Sequence, residues 1–268
     1  MKKKHLFNLV LLALPLLFLS SCDKVIDLKL TNNTGLLIIE GNVINAQGGS
    51  QIVKLSTNVA FSATNTYPPV RGATVNVSNQ SGNTYQFTEG PAGTYTTTAF
   101  VGTSGTVYQL AVVTGGKTYH ATSTMPAVVN LDSVTYKDDD INNSNHKKEL
   151  TVNYKDPIGL GNQYLFVVTV NGVEINRVFA FNDQYTDGRD VHQTLQQTDI
   201  DILAGDTVTV EMQCIDNPMY LYWDTLMQQG DNGPGGSVAP SNPPTNISPA
   251  VLGYFSAHTT QKITLIIK

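Results

Sequence analysis

Cys22 is the residue whose type and setting point most directly to chemistry. It is preceded by Leu19, Ser20 and Ser21. A branched apolar residue, two small residues and a cysteine resemble the bacterial lipobox, where a peptidase cuts before the cysteine and lipid is attached to its thiol. Two or three acyl chains would anchor the protein stably, because each buried methylene contributes about 0.8 kcal/mol. The motif therefore predicts a protein that is held at a membrane surface by a lipidated Cys22.

The segment before Cys22 has the pattern of a secretory signal peptide. Three lysines at positions 2–4 precede an apolar stretch over residues 6–19. This stretch is shorter than the roughly 20 residues that a membrane-spanning helix needs. We therefore expect a signal peptide of the lipoprotein type over residues 1–21, followed by the lipidated cysteine and a tether over residues 22–30.

Removal of this signal peptide makes the chain more acidic. Loss of Lys2, Lys3 and Lys4 lowers the 16 basic residues to 13 against 21 acidic residues, a net charge of −8. Such a charge argues against nucleic acid as a partner, since nucleic-acid binding needs a basic surface. Cys214 alternates with polar residues in a strand-like stretch, which places it on the apolar face. We expect it to be buried, and we expect no disulfide within the chain.

The other polar side chains show no motif that specifies a reaction. The run Asp138–Asp140 offers oxygen ligands to a cation but lacks the alternating spacing of a calcium loop, so a solvated acidic loop is the favoured interpretation. The histidines show no paired metal-binding spacing and the serines no acyl-transfer motif; the histidines after residue 22 are His120, His146, His192 and His258. We expect no enzyme activity, no metal and no cofactor.

An aromatic run offers a different kind of site. Tyr220, Tyr222 and Trp223 fall in a predicted helix over residues 218–229, with Asn217 as its cap and Pro218 in the first turn. The helix is expected to bury a stripe of Met219, Trp223, Leu226 and Met227. Tyr222 lies off this stripe. Aromatic side chains often serve as contact points for sugars and proteins, so a weak partner or ligand surface at the aromatic run, with the neighbouring loop, is the alternative to core packing.

The elements that must position these residues are mostly strands. Seven short strands separated by turn residues are predicted over residues 35–124, which indicates an antiparallel sandwich. A second β-rich unit begins after Met125 and Pro126, with strands expected over 131–136, 149–154, 163–170, 174–181, 206–215, 251–257 and 261–267. A long loop over residues 230–249 is rich in Gly, Pro, Ser and Asn. The expected domains are therefore residues 31–126 and 127–268.

The order of these stretches resembles the domain-of-unknown-function family 4249 (DUF4249), lipoproteins found in Bacteroidota. The matching stretches include 25–28, 38–45, 69–75, 93–95, 106–110, 131–134, 205–208, 220–223 and 246–255. The resemblance implies an immunoglobulin-like or transthyretin-like N-terminal sandwich and a place near outer-membrane nutrient receptors. It brings no established catalytic residues.

These observations favour a non-enzymatic accessory or binding lipoprotein of the outer membrane, beside a TonB-dependent receptor or another envelope protein. A glycan or peptide is the expected ligand class, and the side of the membrane is left open. A surface adhesin or structural module is the alternative. An envelope hydrolase is a further one, and it would need carboxylates that converge from distant strands.

Overall fold

The computed structural model describes residues 34–60, 63, 66–138, 147–196, 200–230 and 242–268. The predicted signal peptide, Cys22 and the tether therefore lie outside the described residues. Thr34–Lys268 forms one compact unit. No helix in the part of the chain that is described is long and apolar enough to cross a membrane.

Eight strands occupy the first half of this unit, and they follow the predicted alternation of polar and apolar residues. They are β1 (Leu37–Ile44), β2 (Gln51–Thr57), β3 (Thr74–Asn79), β4 (Thr84–Gln86), β5 (Thr88–Glu89), β6 (Thr94–Thr97), β7 (Val107–Thr114) and β8 (Lys117–Thr124). The predicted strand over 84–88 is divided at Phe87, whose side chain is buried.

The second half adds nine strands and a helix. They are β9 (Leu131–Asp138), β10 (Lys148–Lys155), β11 (Gln163–Val170), β12 (Val173–Glu174), β13 (Phe179–Asn182), β14 (Asp190–Leu195), β15 (Thr207–Ile215), α1 (Asn217–Gly230), β16 (Ile247–Ser248) and β17 (Leu252–Ile266). The prediction of a mainly β protein with antiparallel sandwich packing and one short helix is confirmed.

Three sheets build the unit. A large sheet has the strand order β12-β11-β15-β17-β1-β2-β6-β5, with β13 also paired to β11. A five-stranded sheet, β16-β8-β7-β3-β4, and a three-stranded sheet, β14-β10-β9, complete the set. Each smaller sheet shares a hydrophobic core with a different part of the large sheet, so two sandwiches lie along one common sheet.

The two cores divide the chain close to the predicted boundary. The first core joins the five-stranded sheet to β1, β2 and β6, and it includes Met125. The second core joins the three-stranded sheet to β11 and β15, and it includes Val129. The chain thus passes from one core to the other within a few residues of Pro126. Whether 31–126 and 127–268 behave as separate domains stays a prediction.

Strand β17 links the two cores. Its first half pairs in parallel with β1, from Ile38 against Leu252 to Ile44 against His258, and its second half pairs antiparallel with β15. The parallel pair departs from the predicted antiparallel pattern because the two strands are joined by almost the whole chain rather than by a hairpin. The predicted strands 251–257 and 261–267 are thus one continuous strand.

Close backbone packing between β1 and β17 requires glycine at position 253. Gly253 has φ +95°, and a Cβ atom there would lie 2.0 Å from the carbonyl oxygen of Ile39. Only glycine adopts this conformation without strain and leaves the space.

Three local predictions about the second half are wrong. The strand predicted over 174–181 is two short strands, β12 and β13. The helix is capped one residue earlier than expected, because the Asp216 carboxylate, not Asn217, accepts a hydrogen bond from the backbone N–H of Met219 at 3.3 Å. In addition, Leu226 is 39% exposed and is not part of a buried stripe. Strand β14 was not predicted, because Val191 and Leu195 are its only apolar residues.

Candidate functional site

The aromatic run lies on α1, which packs against the outer face of the large sheet. Met219 is fully buried there with Leu165, Ala180 and Ile215. Met227 contributes its sulfur, which accepts a hydrogen bond from the backbone N–H of Ala180 at 3.1 Å. The helix therefore covers the end of the large sheet that holds β11, β13 and β15.

Three aromatic rings meet where α1 approaches β17. The ring centroids of Tyr222, Trp223 and Tyr254 lie 5.1–5.2 Å apart, with tilted or edge-on geometry. Such arrangements contribute about 0.5–1.5 kcal/mol beyond burial of the rings. Burial, with the Glu40 carboxylate as a second cause, raises the pKa of Tyr222 to about 12. The Tyr222 hydroxyl is therefore a neutral hydrogen-bonding group at physiological pH.

The structure separates the three aromatic residues that the sequence grouped together. The hydroxyl of Tyr220 accepts a hydrogen bond from the side-chain amide of Asn182 at 2.9 Å, on the β13 side of the helix. Trp223 is half-buried and packs on Tyr254. Of the three, Tyr222 lines an open groove with a volume of about 820 Å³. Tyr222 thus lines the groove, whereas Tyr220 and Trp223 make packing contacts, and a partner surface at these residues stays a prediction.

We call this depression the Tyr222 groove. Its walls come from the start of β1, the β8 strand, helix α1 and the chain on either side of β16; the lining residues are Gly35, Leu36, Leu37, Ile38, Lys117, Tyr119, Tyr222, Asn242, Pro243, Thr245, Pro249, Ala250, Val251, Leu252 and Gly253. Residues 242–249 are the end of the long loop predicted over 230–249. The structure thus brings Tyr222 and the described end of that loop to the same surface.

The lining of the groove is mostly apolar, with a few polar groups. Its lining combines aliphatic side chains with two tyrosines, two prolines, one amide and the ammonium group of Lys117. Leu36 is 46% exposed at the mouth. An apolar surface with a few placed polar groups is typical of sites that bind peptides, glycans or small molecules.

The other candidates from the sequence lie elsewhere. Cys214 is buried as predicted, and burial raises the pKa of its thiol. Asp138 forms an ion pair with Lys148, and Asp139 and Asp140 lie outside the described residues, so a cation site there stays a prediction. His120 is exposed, His192 lies 2.6 Å from the side-chain oxygen of Asn153, and His258 is buried. His146 falls outside the described residues.

Sequence reasoning missed a group of carboxylates in the second half of the chain. Asp156, Asp183 and Asp187 each place one oxygen within 4.8 Å of the other two. Asp156 directly follows β10, and the other two lie in the turn after β13. Their spacing in the sequence is not that of a known calcium loop. They meet because β10, which precedes Asp156, pairs with β14, and because β13, which precedes Asp183, pairs with β11.

The model of one protein family, a domain of unknown function, DUF4249, matches residues 23–264. The chain belongs to this family. Residues 23–264 include both sandwiches and all but the last two residues of β17, so DUF4249 describes the whole two-core unit.

Comparisons with individual proteins add little to the family assignment. No curated protein matches the chain. One similar solved structure is a crystal structure of a tetra-tandem repeat in the extending region of a large adhesion protein, at 14% identity and a TM-score of 0.23, covering 87% of this chain and 49% of that chain. Another is the Yersinia pseudotuberculosis adhesin InvE, at 20% identity and a TM-score of 0.23, covering 67% of this chain and 56% of that one. The chain therefore spans about half the length of these structures.

Proposed function

We propose that this DUF4249 protein is a lipid-anchored, non-enzymatic binding component of the outer membrane that works beside a TonB-dependent nutrient receptor. The Tyr222 groove is the observation that carries this proposal. Its apolar and aromatic walls suit capture of an extended peptide or a glycan, since both present apolar faces alongside hydrogen-bonding groups. The acidic charge of the mature chain supports a partner that is neither nucleic acid nor an anionic membrane surface.

The length of chain between the lipid and the groove supports a partner in the membrane. Gly35, the first residue of the groove, follows Cys22 by 13 positions. A fully extended chain spans about 3.3–3.6 Å per residue, so the groove lies within about 45 Å of the lipidated cysteine. Extracellular or periplasmic parts of a membrane receptor fall within this reach.

The proposal is tested by native co-purification of the lipidated protein with its membrane neighbours. We expect a receptor to be retained by the wild type and to be reduced about fivefold or more by Tyr222→Ala, because truncation of a central aromatic contact commonly costs more than 1 kcal/mol. Leu36→Asp provides a second variant, since this exposed side chain can be changed with little effect on the core.

Tyr185→Ala is the matched control, because Tyr185 is 79% exposed and does not line the groove. Circular dichroism of each variant checks that the fold is retained. Equal recovery of the receptor by the wild type and both groove variants would contradict binding at the groove. Recovery of no membrane protein by the wild type would contradict the accessory role.

A further inference from the structure

Three aspartates converge at one end of the second core. Asp156 and Asp183 are buried, whereas Asp187 lies closer to solvent. One oxygen from each carboxylate lies within 4.8 Å of the other two. Like charges at this separation repel one another, so the arrangement destabilises the fold unless a cation or protons neutralise it.

Neutral donors hold the three carboxylates in place. Asp183 Oδ2 accepts hydrogen bonds from the backbone N–H groups of Gly161 and Asn162, each at 2.8 Å. Asp187 Oδ1 accepts one from the backbone N–H of Gly159 at 2.6 Å. The loop over residues 157–162 is thus attached to the turn over residues 183–188 through carboxylates, while one oxygen of each carboxylate remains for another partner.

Asp156 supplies the observation that points to a ligand. Its side chain is fully buried, and the hydroxyl of Tyr164 donates a hydrogen bond to Oδ1. Its other oxygen, Oδ2, is buried and has no hydrogen-bond partner among the described residues. A buried carboxylate oxygen without a partner costs several kcal/mol, so native proteins almost always satisfy it with a hydrogen bond, a water or an ion.

The charge around the cluster is also uncompensated. Within the described ranges, no lysine or arginine makes an ion pair with any of the three aspartates. In the turn that carries Asp183 and Asp187, the hydroxyl of Thr186 is likewise buried without a partner.

We propose that Asp156, Asp183 and Asp187 form a binding site for one calcium ion, which joins the loop 157–162 to the turn 183–188. Calcium binds oxygen ligands at 2.3–2.6 Å, so one ion bridges oxygens up to about 5 Å apart, as these are. Three carboxylates supply its charge, and water completes the six to eight ligands that it takes. Asp156 and Gly188 border a surface cavity of about 510 Å³, which gives an ion access to the cluster.

Magnesium fits this site less well. It requires nearly ideal octahedral geometry at 2.0–2.1 Å, and it keeps several of its own waters. Three protein carboxylates suit an ion that gives up most of its water, which magnesium does reluctantly. The site therefore favours the larger ion.

The experiment uses the mature protein after removal of metals with EGTA and dialysis. Isothermal titration with CaCl₂ is expected to show binding of one ion per chain, and calcium is expected to raise the thermal unfolding midpoint. Asp183→Asn keeps the shape of the side chain and its acceptor oxygen, and it is expected to weaken calcium binding at least tenfold. Asp187→Asn is expected to do the same, and its position near solvent protects the fold if the buried variants misfold.

Asp224→Asn on helix α1 is the control, because it removes one carboxylate far from the cluster in the sequence and outside its contacts. It is expected to bind calcium as the wild type does. The proposal is overturned if the wild type binds no calcium, if Asp187→Asn binds it with unchanged affinity, or if magnesium binds as tightly as calcium.

Discussion

His258 is a buried histidine at the centre of β17, and its surroundings keep it neutral. It is 3% exposed, and its Nδ1 atom lies 2.9 Å from the hydroxyl of Ser256. Burial lowers the pKa of His258 to about 4, although the Glu211 carboxylate acts in the opposite direction. The imidazole therefore contributes to the fold as an uncharged hydrogen-bonding group.

The low pKa of His258 predicts a loss of folding stability in mild acid. His258 binds a proton near pH 6.5 in the unfolded chain, but only near pH 4 in the folded chain. The stability that the neutral histidine contributes is therefore fully present above pH 6.5 and is lost as the pH falls toward 4. Between pH 7.5 and 5, the free energy of unfolding of the wild type should fall by about 2 kcal/mol more than that of His258→Gln. Urea denaturation at the two pH values measures this difference. The exposed His120→Gln should behave as the wild type; equal losses in His258→Gln and the wild type would refute the assignment.

At the scale of residues, the sequence predicted which side chains are buried better than it predicted which side chains are in contact. Cys214 could be placed inside from the alternation of its strand, because alternation depends only on neighbouring residues. The proximity of Asp156 and Asp183 could not be predicted, because 26 residues lie between them and their approach depends on how the strands pair. Tyr222 could be placed off the helix stripe, but its contact with Tyr254 depends on where the C-terminal strand runs.

Asp216 joins two elements that are distant in the sequence. Its Oδ2 atom accepts hydrogen bonds from the hydroxyl of Ser123 at 2.7 Å and the backbone N–H of Thr124 at 2.9 Å, at the end of β8. Its Oδ1 atom caps α1 through Met219. Ser123 in turn accepts a hydrogen bond from the backbone N–H of Ala257 at 2.8 Å. Helix, five-stranded sheet and large sheet therefore meet at one carboxylate.

Replacement of this carboxylate should be costly. Asp216→Ala removes a helix cap and leaves partly buried donors without an acceptor, so we expect the free energy of unfolding to fall by about 2–4 kcal/mol. Asp224→Ala, on the same helix, is the control and should cost less than about 0.5 kcal/mol. Chemical denaturation of both variants gives the comparison, and similar losses would show that Asp216 has no special role.

At the scale of elements, local patterns located most strands and the helix. The strands 51–57, 117–124 and 163–170 have the predicted bounds, since turn residues mark both ends. Strand β14 was not predicted because it is mostly polar. Strand β17 was predicted as two strands because His258, Thr259 and Thr260 interrupt its apolar pattern. These polar residues are accommodated by contacts from other strands, such as the bond from Thr260 to Glu211 at 2.6 Å, which no local pattern contains.

The whole molecule depends on the association of its first and last strands. Phe255, Ala257 and Ile247 come from the end of the chain, yet their side chains belong to the first core. Without them, β1 lacks its parallel neighbour and the first core lacks three buried side chains. The sequence could not reveal this, because a parallel pair between distant strands leaves no turn signal at either strand.

A protein that comprises residues 31–126 alone should therefore not fold cooperatively. Loss of an entire neighbouring strand and of Phe255 removes several kcal/mol, which is comparable to the total stability of a small domain. Thermal unfolding followed by circular dichroism should show no cooperative transition, whereas residues 31–268 should show one. Linking residues 242–268 to the N-terminus of the fragment should restore the transition. A sharp transition in the unlinked fragment would establish the first sandwich as autonomous.

The parallel pairing of β1 with β17 also sets the order of events during biogenesis. A chain that leaves the ribosome from its N-terminus presents β1 long before residues 252–258 emerge. Until then the edge of β1 and the apolar side of the first core are open to other chains, and such exposed edges promote aggregation. Contacts between ends of the chain also slow folding, since a long loop must close before they form. Folding of this protein should thus depend on chaperones that hold the unfolded chain until its final residues have been released.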